Sequence, residues 1–245
     1  MNSVGIIGFG RFGKVLANIL QKGFSIKVYD LKSTGEFPGV DFVDLNNVLK
    51  EKVIFIAVPI RHFKKVISDI SSQISVGTTI IDVCSVKNHP VKIMEKYLPE
   101  NVGIIATHPM FGPDSFMSNN RPKMMMNNTR DLHNQFSFWR QYFNDQGIQV
   151  MELSPDQHDQ MAAKTQGVTH FLGRMLKEYG IRKTSIDTQG FLDLLDLVEQ
   201  TCNDTWELYT DLQLYNPYTE DMINQLKLAT ESLDNRLKEV QNVAT

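Results

Sequence analysis

A glycine spacing near the N-terminus constrains this chain more than any other feature. Gly8-Phe9-Gly10-Arg11-Phe12-Gly13 follows an apolar run, Val4 to Ile7, and opens an amphipathic stretch, Gly13–Lys22. Each glycine has a separate task in such a turn. Gly8 permits the tight bend, Gly10 lets a pyrophosphate approach the backbone, and Gly13 lets the helix lie close on the strand. The free N–H groups and the dipole at the helix start favour phosphate charge. Asp30 lies twenty positions after Gly10, at the end of a second strand-like run, Ser25–Asp30. A carboxylate there is placed to accept the hydroxyls of an adenosine ribose and to repel a 2′-phosphate. The expectation is a dinucleotide site favouring NAD, with NADP possible because Lys32 and Ser33 follow at once. Gly8, Phe9, Gly10, Arg11, Phe12, Gly13 and Asp30 are its candidate residues. Arg11 is a candidate contact to the pyrophosphate.

The pattern continues in the same style to about residue 153. Apolar runs at Val53–Pro59, Thr78–Cys84 and Val102–Thr107 alternate with helical patterns at Arg61–Ile74 and His89–Tyr97. Runs apolar on both faces imply a parallel sheet covered by helices. Lys123–Asn127 and Ile148–Leu153 read as late strands around a helix from Leu132 to Asp145. After Ser154-Pro155, a helix start, strand signals cease. Gln157–Tyr179, Gly190–Leu214 and Thr219–Asn242 read as three helices. The expected class is α/β: a Rossmann-type doubly wound parallel sheet over residues 1–153, then a smaller all-helical domain over 154–245.

Composition narrows the function. A net charge of −3 from 25 basic and 28 acidic residues gives no footprint for nucleic acid. No apolar run reaches the ~18 residues needed to span a bilayer. Two cysteines cannot make a disulfide framework, and no leader pattern precedes the first strand; a cytoplasmic location is expected. His62, His89, His133 and His158 show no metal-ligand spacing, so no metal is expected.

Ligands of open α/β sheets bind outside the carboxyl ends of the strands. Three such ends carry unusual residues: Ala57-Val58-Pro59, Asp82-Val83-Cys84-Ser85-Val86-Lys87 and Thr107-His108-Pro109. Val58 and Pro59 are candidates for the cofactor. Ser85 and His108 make a proton-handling pair, since a neutral imidazole accepts a hydroxyl proton that a serine helps to orient. Cys84 reads as a small apolar residue, and Met124-Met125-Met126 as core strand.

Thr107-His108-Pro109-Met110-Phe111-Gly112-Pro113-Asp114-Ser115 resembles a signature of the prephenate and arogenate dehydrogenases, and Asp82–Lys87 resembles their second one. His158-Asp159 followed by Gln166-Gly167-Val168-Thr169-His170-Phe171-Leu172-Gly173-Arg174 is similar to their substrate-closing helix. This resemblance implies NAD(P)-dependent oxidative decarboxylation of a cyclohexadienol. It implies that His108 is the base, that Ser85 orients the hydroxyl, and that His170, with Gln166, Thr169 and Arg174, serves the substrate. There are departures: no arginine follows Thr188-Gln189-Gly190, Asp196 stands where one is expected to hold a carboxylate, and Phe116 replaces a common glycine. A carboxylate pairs with an ammonium rather than with another carboxylate, which tilts the expectation to arogenate. Neither a mutase nor a regulatory domain is expected within these 245 residues. The alternatives are another two-domain dehydrogenase of a related acid, or a non-catalytic dinucleotide binder. The surplus of apolar residues after Gly190, among them Leu194, Trp206, Leu208 and Leu214, predicts a homodimer through the C-terminal helices.

Overall fold

The computed structural model describes residues 2–32, 35–112 and 121–244. The chain divides into two compact units, Met1–His158 and Asp159–Thr245. Ser33 and the run Pro113-Asp114-Ser115-Phe116 lie outside the described residues, so the expectations attached to them have no structural counterpart here.

The first unit is one eight-stranded sheet with helices. Its strands are β1 (Ser3–Ile7), β2 (Ser25–Tyr29), β3 (Val40–Phe42), β4 (Val53–Ile56), β5 (Thr79–Asp82), β6 (Gly103–Pro109), β7 (Lys123–Arg130) and β8 (Gln149–Glu152). They lie in the order β3-β2-β1-β4-β5-β6-β7-β8. The strands from β3 to β6 run parallel. β7 returns antiparallel to β6, and β8 runs parallel to β7. The order reverses between β1 and β4, which makes their carboxyl ends the binding crevice of a doubly wound sheet. β4, β5 and β6 are buried along their whole length, hence their uninterrupted apolar runs.

Helices α1 (Arg11–Leu20), α2 (Leu45–Val48), α3 (Ile60–Ile70), α4 (Asn88–Tyr97) and α5 (Gln135–Asp145) join the strands. α3 buries Ile60, Phe63, Ile67 and Ile70, a stripe at helical spacing. Trp139 and Phe143 of α5 pack edge-on against Phe55 of β4. β3 and α2 were not visible in the pattern: β3 has only three residues, and α2 is a single turn capped by Asp44. The helix expected from Leu132 starts at Gln135, because the Asp131 carboxylate accepts the N–H groups of Gln135 and Phe136 and closes the preceding turn.

The second unit is helical. α6 (Pro155–Ala162) leads across the division, and a π-helical turn, Ala163–Gly167, joins it to α7 (Val168–Tyr179). α8 (Gln189–Cys202), α9 (Trp206–Tyr215) and α10 (Thr219–Ala244) follow. The expected helix Gly190–Leu214 is therefore two. Thr205 caps the second by accepting the N–H of Leu208, and that side-chain bond competes with helix continuation. Gly173 lets α7 and α8 touch: a Cβ there would stand 2.0 Å from the Thr201 hydroxyl oxygen. Among the described residues no helix is long and apolar enough to cross a membrane.

Candidate active site

The glycine turn sits at the carboxyl end of β1, in the crevice where the strand order reverses. Gly8 has φ +99°, a left-handed conformation that suits glycine. A Cβ on Gly8 would lie 2.4 Å from the Ala57 carbonyl oxygen, and one on Gly13 would lie 2.5 Å from the Gly8 oxygen. The turn is thus pressed between the end of β4 and the start of α1. Val58 touches the same turn, its Cγ1 lying 3.0 Å from that added Cβ, and Pro59 caps α3 beside it. A Cβ on Gly10, by contrast, would meet nothing within 4 Å. That open face at a helix N-terminus fits a pyrophosphate.

Asp30 ties the cradle together. Its carboxylate accepts the Phe9 N–H at 2.7 Å and the Lys32 N–H at 2.7 Å, one on each oxygen. A carboxylate oxygen can accept more than one hydrogen bond, which suits this position to a ribose hydroxyl. The side chains of Phe9 and Phe12 face the protein: Phe9 packs edge-on against Phe37 and Phe42, and Phe12 against Phe111. These two phenylalanines serve the cradle as framework, with Phe9 adding its backbone N–H. Arg11 is exposed at the first position of α1.

Two strands away, the ends of β5 and β6 lie side by side, with Asp82 paired to Ala106. Ser85 is half-buried in the loop after β5, and His108 is 3% exposed near the end of β6. Under His108 lies a wholly buried ion pair. Lys87 donates to the Asp82 carboxylate and to the Thr107 carbonyl. Asp82 also accepts the N–H of Cys84 at 3.0 Å and of Thr107 at 3.3 Å. Burial pushes the Asp82 carboxyl up, and Lys87 and these donors pull it back. So many partners offset the cost of burying the two charges.

The other partner of His108 comes from α6. Its Nδ1 lies 2.7 Å from Nε2 of His158, and the rings meet edge to face with centroids 4.9 Å apart. Burial holds His108 well below the ordinary imidazole range, and the nearby His158 and Lys87 charges press it further the same way. These effects favour the neutral form of the His108 ring. His158, 2% exposed, is the residue that reading the histidines for metal spacing missed. The signal that would have found it is its place just after the Ser154-Pro155 helix start, in a His-Asp pair.

In the second unit, His170 and Arg174 stand one turn apart on α7. Arg174 donates to the Asp204 carbonyl at 2.5 Å and lies over the rings of Trp206 and Tyr209 at 5.7 and 5.3 Å. Nδ1 of His170 and Nε of Arg174 are buried without a hydrogen-bond partner among the described residues. Burial lowers the His170 pKa, Asp204 raises it, and Arg174 lowers it. Gln166 is half-buried in the π turn, and exposed Thr169 spends its hydroxyl on the Gln166 carbonyl. π turns mark functional positions in helices more often than chance. Asp196 is exposed on α8, and so are Arg182 and Lys183 before it.

Residues 37–129 match the model of the prephenate dehydrogenase nucleotide-binding domain, and residues 175–244 the TYRAAT1-like C-terminal domain. Arogenate dehydrogenase 2 of Arabidopsis thaliana is 32% identical over 96% of this chain and 69% of its own length. Arogenate dehydrogenase 1 of the same plant is 34% identical over 96% of this chain, which spans 39% of that protein. The fold is that of the Aquifex aeolicus prephenate dehydrogenase solved with hydroxyphenyl propionate and NAD+ (TM-score 0.76, 18% identity, 98% of this chain and 92% of that one). Synechocystis arogenate dehydrogenase shares it (TM-score 0.70, 19% identity, 98% and 92%). The chain belongs to the prephenate and arogenate dehydrogenase family of oxidoreductases.

Proposed function

We propose that the protein catalyses oxidative decarboxylation of arogenate to tyrosine and carbon dioxide. The observation that carries the reading is His108: a buried imidazole held neutral, at a strand end beside the dinucleotide crevice. The dinucleotide, when bound, supplies the hydride acceptor. His108 takes the proton of the ring 4-hydroxyl as C4 is oxidised, and Ser85 orients that hydroxyl. Loss of the ring carboxylate and aromatisation drive the reaction, so the protein chiefly needs to orient the ring and hold one base.

For the substrate side chain, the likeness to the family assigns His170, with Gln166, Thr169 and Arg174, to the helical unit. Asp196 supports arogenate over prephenate, because an exposed carboxylate attracts an ammonium and repels a keto acid. Asp30 supports NAD over NADP: its two oxygens already fix the loop, and a 2′-phosphate beside them meets like charge. A homodimer through the C-terminal helices is supported by Leu228, Leu233, Leu237 and Val240 of α10, each at least 59% exposed. Residues 1–153 are read as the cofactor domain and residues 154–245 as the substrate and dimer domain. Two free cysteines suit a reducing compartment such as the cytoplasm.

The test is direct. The purified protein is mixed with NAD or NADP and with arogenate or prephenate, and formation of reduced cofactor is followed. Turnover is expected with NAD and arogenate first. No turnover with either acid, in a protein that binds NAD, overturns the enzymatic reading in favour of a dinucleotide binder.

A further inference from the structure

His108 can work as a base only in one of its two neutral forms. Its Nδ1 is occupied by Nε2 of His158 at 2.7 Å, so the nitrogen left for substrate is Nε2. One proton sits between the two rings. If His158 owns it, Nδ1 of His108 is an acceptor, its Nε2 carries the ring hydrogen, and His108 can only donate to a hydroxyl. If His108 owns it, Nδ1–H donates to a bare Nε2 of His158, and Nε2 of His108 is free to receive.

We propose that His158 is the positioning residue of this site: its Nε2 accepts from Nδ1–H of His108, fixing the catalytic imidazole in its proton-accepting tautomer and in its orientation. This rests on the reading of His108 as the base. Three observations support it. Both rings are buried, so solvent does not compete for the nitrogens. The edge-to-face contact at 79° leaves the His108 ring few other poses. Among the described residues, the charged and titratable groups facing His108 are His158 from α6 and, from the β5 end, Lys87 with its partner Asp82. Lys87 is committed to Asp82 and to the Thr107 carbonyl, so His158 is the ring's orienting partner. The logic matches an oriented general base elsewhere in enzymology, in which a third group selects the tautomer.

Two variants and one spectroscopic measurement test this. His158→Phe keeps a ring against His108 and removes the acceptor. His158→Gln restores an acceptor through its amide oxygen. With both variants folded and binding NAD like the parent, the Phe form is expected to lose kcat by about 100-fold and the Gln form to recover at least about 10-fold of that. Equal losses in the two variants, or none in either, overturn the proposal. Nitrogen NMR of labelled histidine in the unaltered protein decides it independently of turnover or of how the variants fold. A proton on Nδ1 of His108 near neutral pH is expected, and a proton on Nε2 overturns the proposal. If the parent protein proves inactive on both acids, the functional reading fails while the NMR result still reports the tautomer.

Discussion

The two units differ in what they leave unfinished. The sheet unit closes on itself. Nearly all buried apolar side chains lie in it, and the buried charges of Asp82 and Lys87 are paired with each other. The helical unit is open. Its buried apolar residues are few, Ala162, Ala163, Leu212 and Met222, while Trp206, Leu214, Leu228 and Leu237 stand more than half exposed. Buried side-chain atoms without a hydrogen-bond partner among the described residues occur in both units, Thr79 Oγ1 and Trp139 Nε1 in the sheet unit and His170 Nδ1 and Arg174 Nε in the helical one. A parallel sheet flanked by helices satisfies itself, whereas a few helices of this length have too little interior and rely on contact with something else. One half encloses its own core around the His108 cluster; the other leaves apolar surface exposed.

Breaking the closed half should have the largest effect. His108→Asn removes the base and is expected to lower kcat by about 10²–10⁴-fold with NAD affinity unchanged. Kinetics beside calorimetric NAD titration check this, and a variant with parental turnover ends the assignment. Breaking the open half should change assembly before chemistry. Leu233→Glu combined with Leu237→Glu places two carboxylates on the exposed face of α10, and light scattering should show a dimer's mass fall to that of one chain. A monomeric parent protein contradicts the dimer outright.

A smaller effect sharpens the substrate side. Asp196→Asn should reduce the preference for arogenate over prephenate by about 10-fold in kcat/KM, roughly the value of one charge-assisted contact. An unchanged ratio removes Asp196 from the specificity argument. The smallest is a pH effect on the closed half. Burial holds His108 well below the ordinary imidazole range, so its neutral form survives into mildly acid solution. The acid limb of kcat/KM should lie below the ordinary histidine range. Stability follows the same sign: below pH 6.5 the unfolded imidazole takes up a proton that the folded one refuses, so stability falls as pH falls. Melting temperatures across that range, compared with His108→Asn, isolate this contribution.

The cofactor cradle was legible in the chain because its parts are close in sequence. Gly8, Gly10 and Gly13 act within one turn, and Asp30 follows one helix later. Ser85 and His108 were legible for a related reason: strand ends are visible as the ends of apolar runs. The break at Asn203-Asp204-Thr205 was readable as a run of capping residues but is hidden inside a continuous apolar pattern. The π turn at Ala163–Gly167 leaves no trace in composition.

The order of strands and helices, the glycine cradle and the place of His108 at a strand end are local facts, set by periodicity, by backbone freedom at glycine and by residue chemistry. The pairing of His108 with a histidine fifty residues further on is not local. Nor is the stationing of Lys87 beneath it, or the exposure of the α10 leucines. Those depend on which surfaces meet when sheet and helices pack, and burial and proton affinity are properties of that meeting, not of either residue alone.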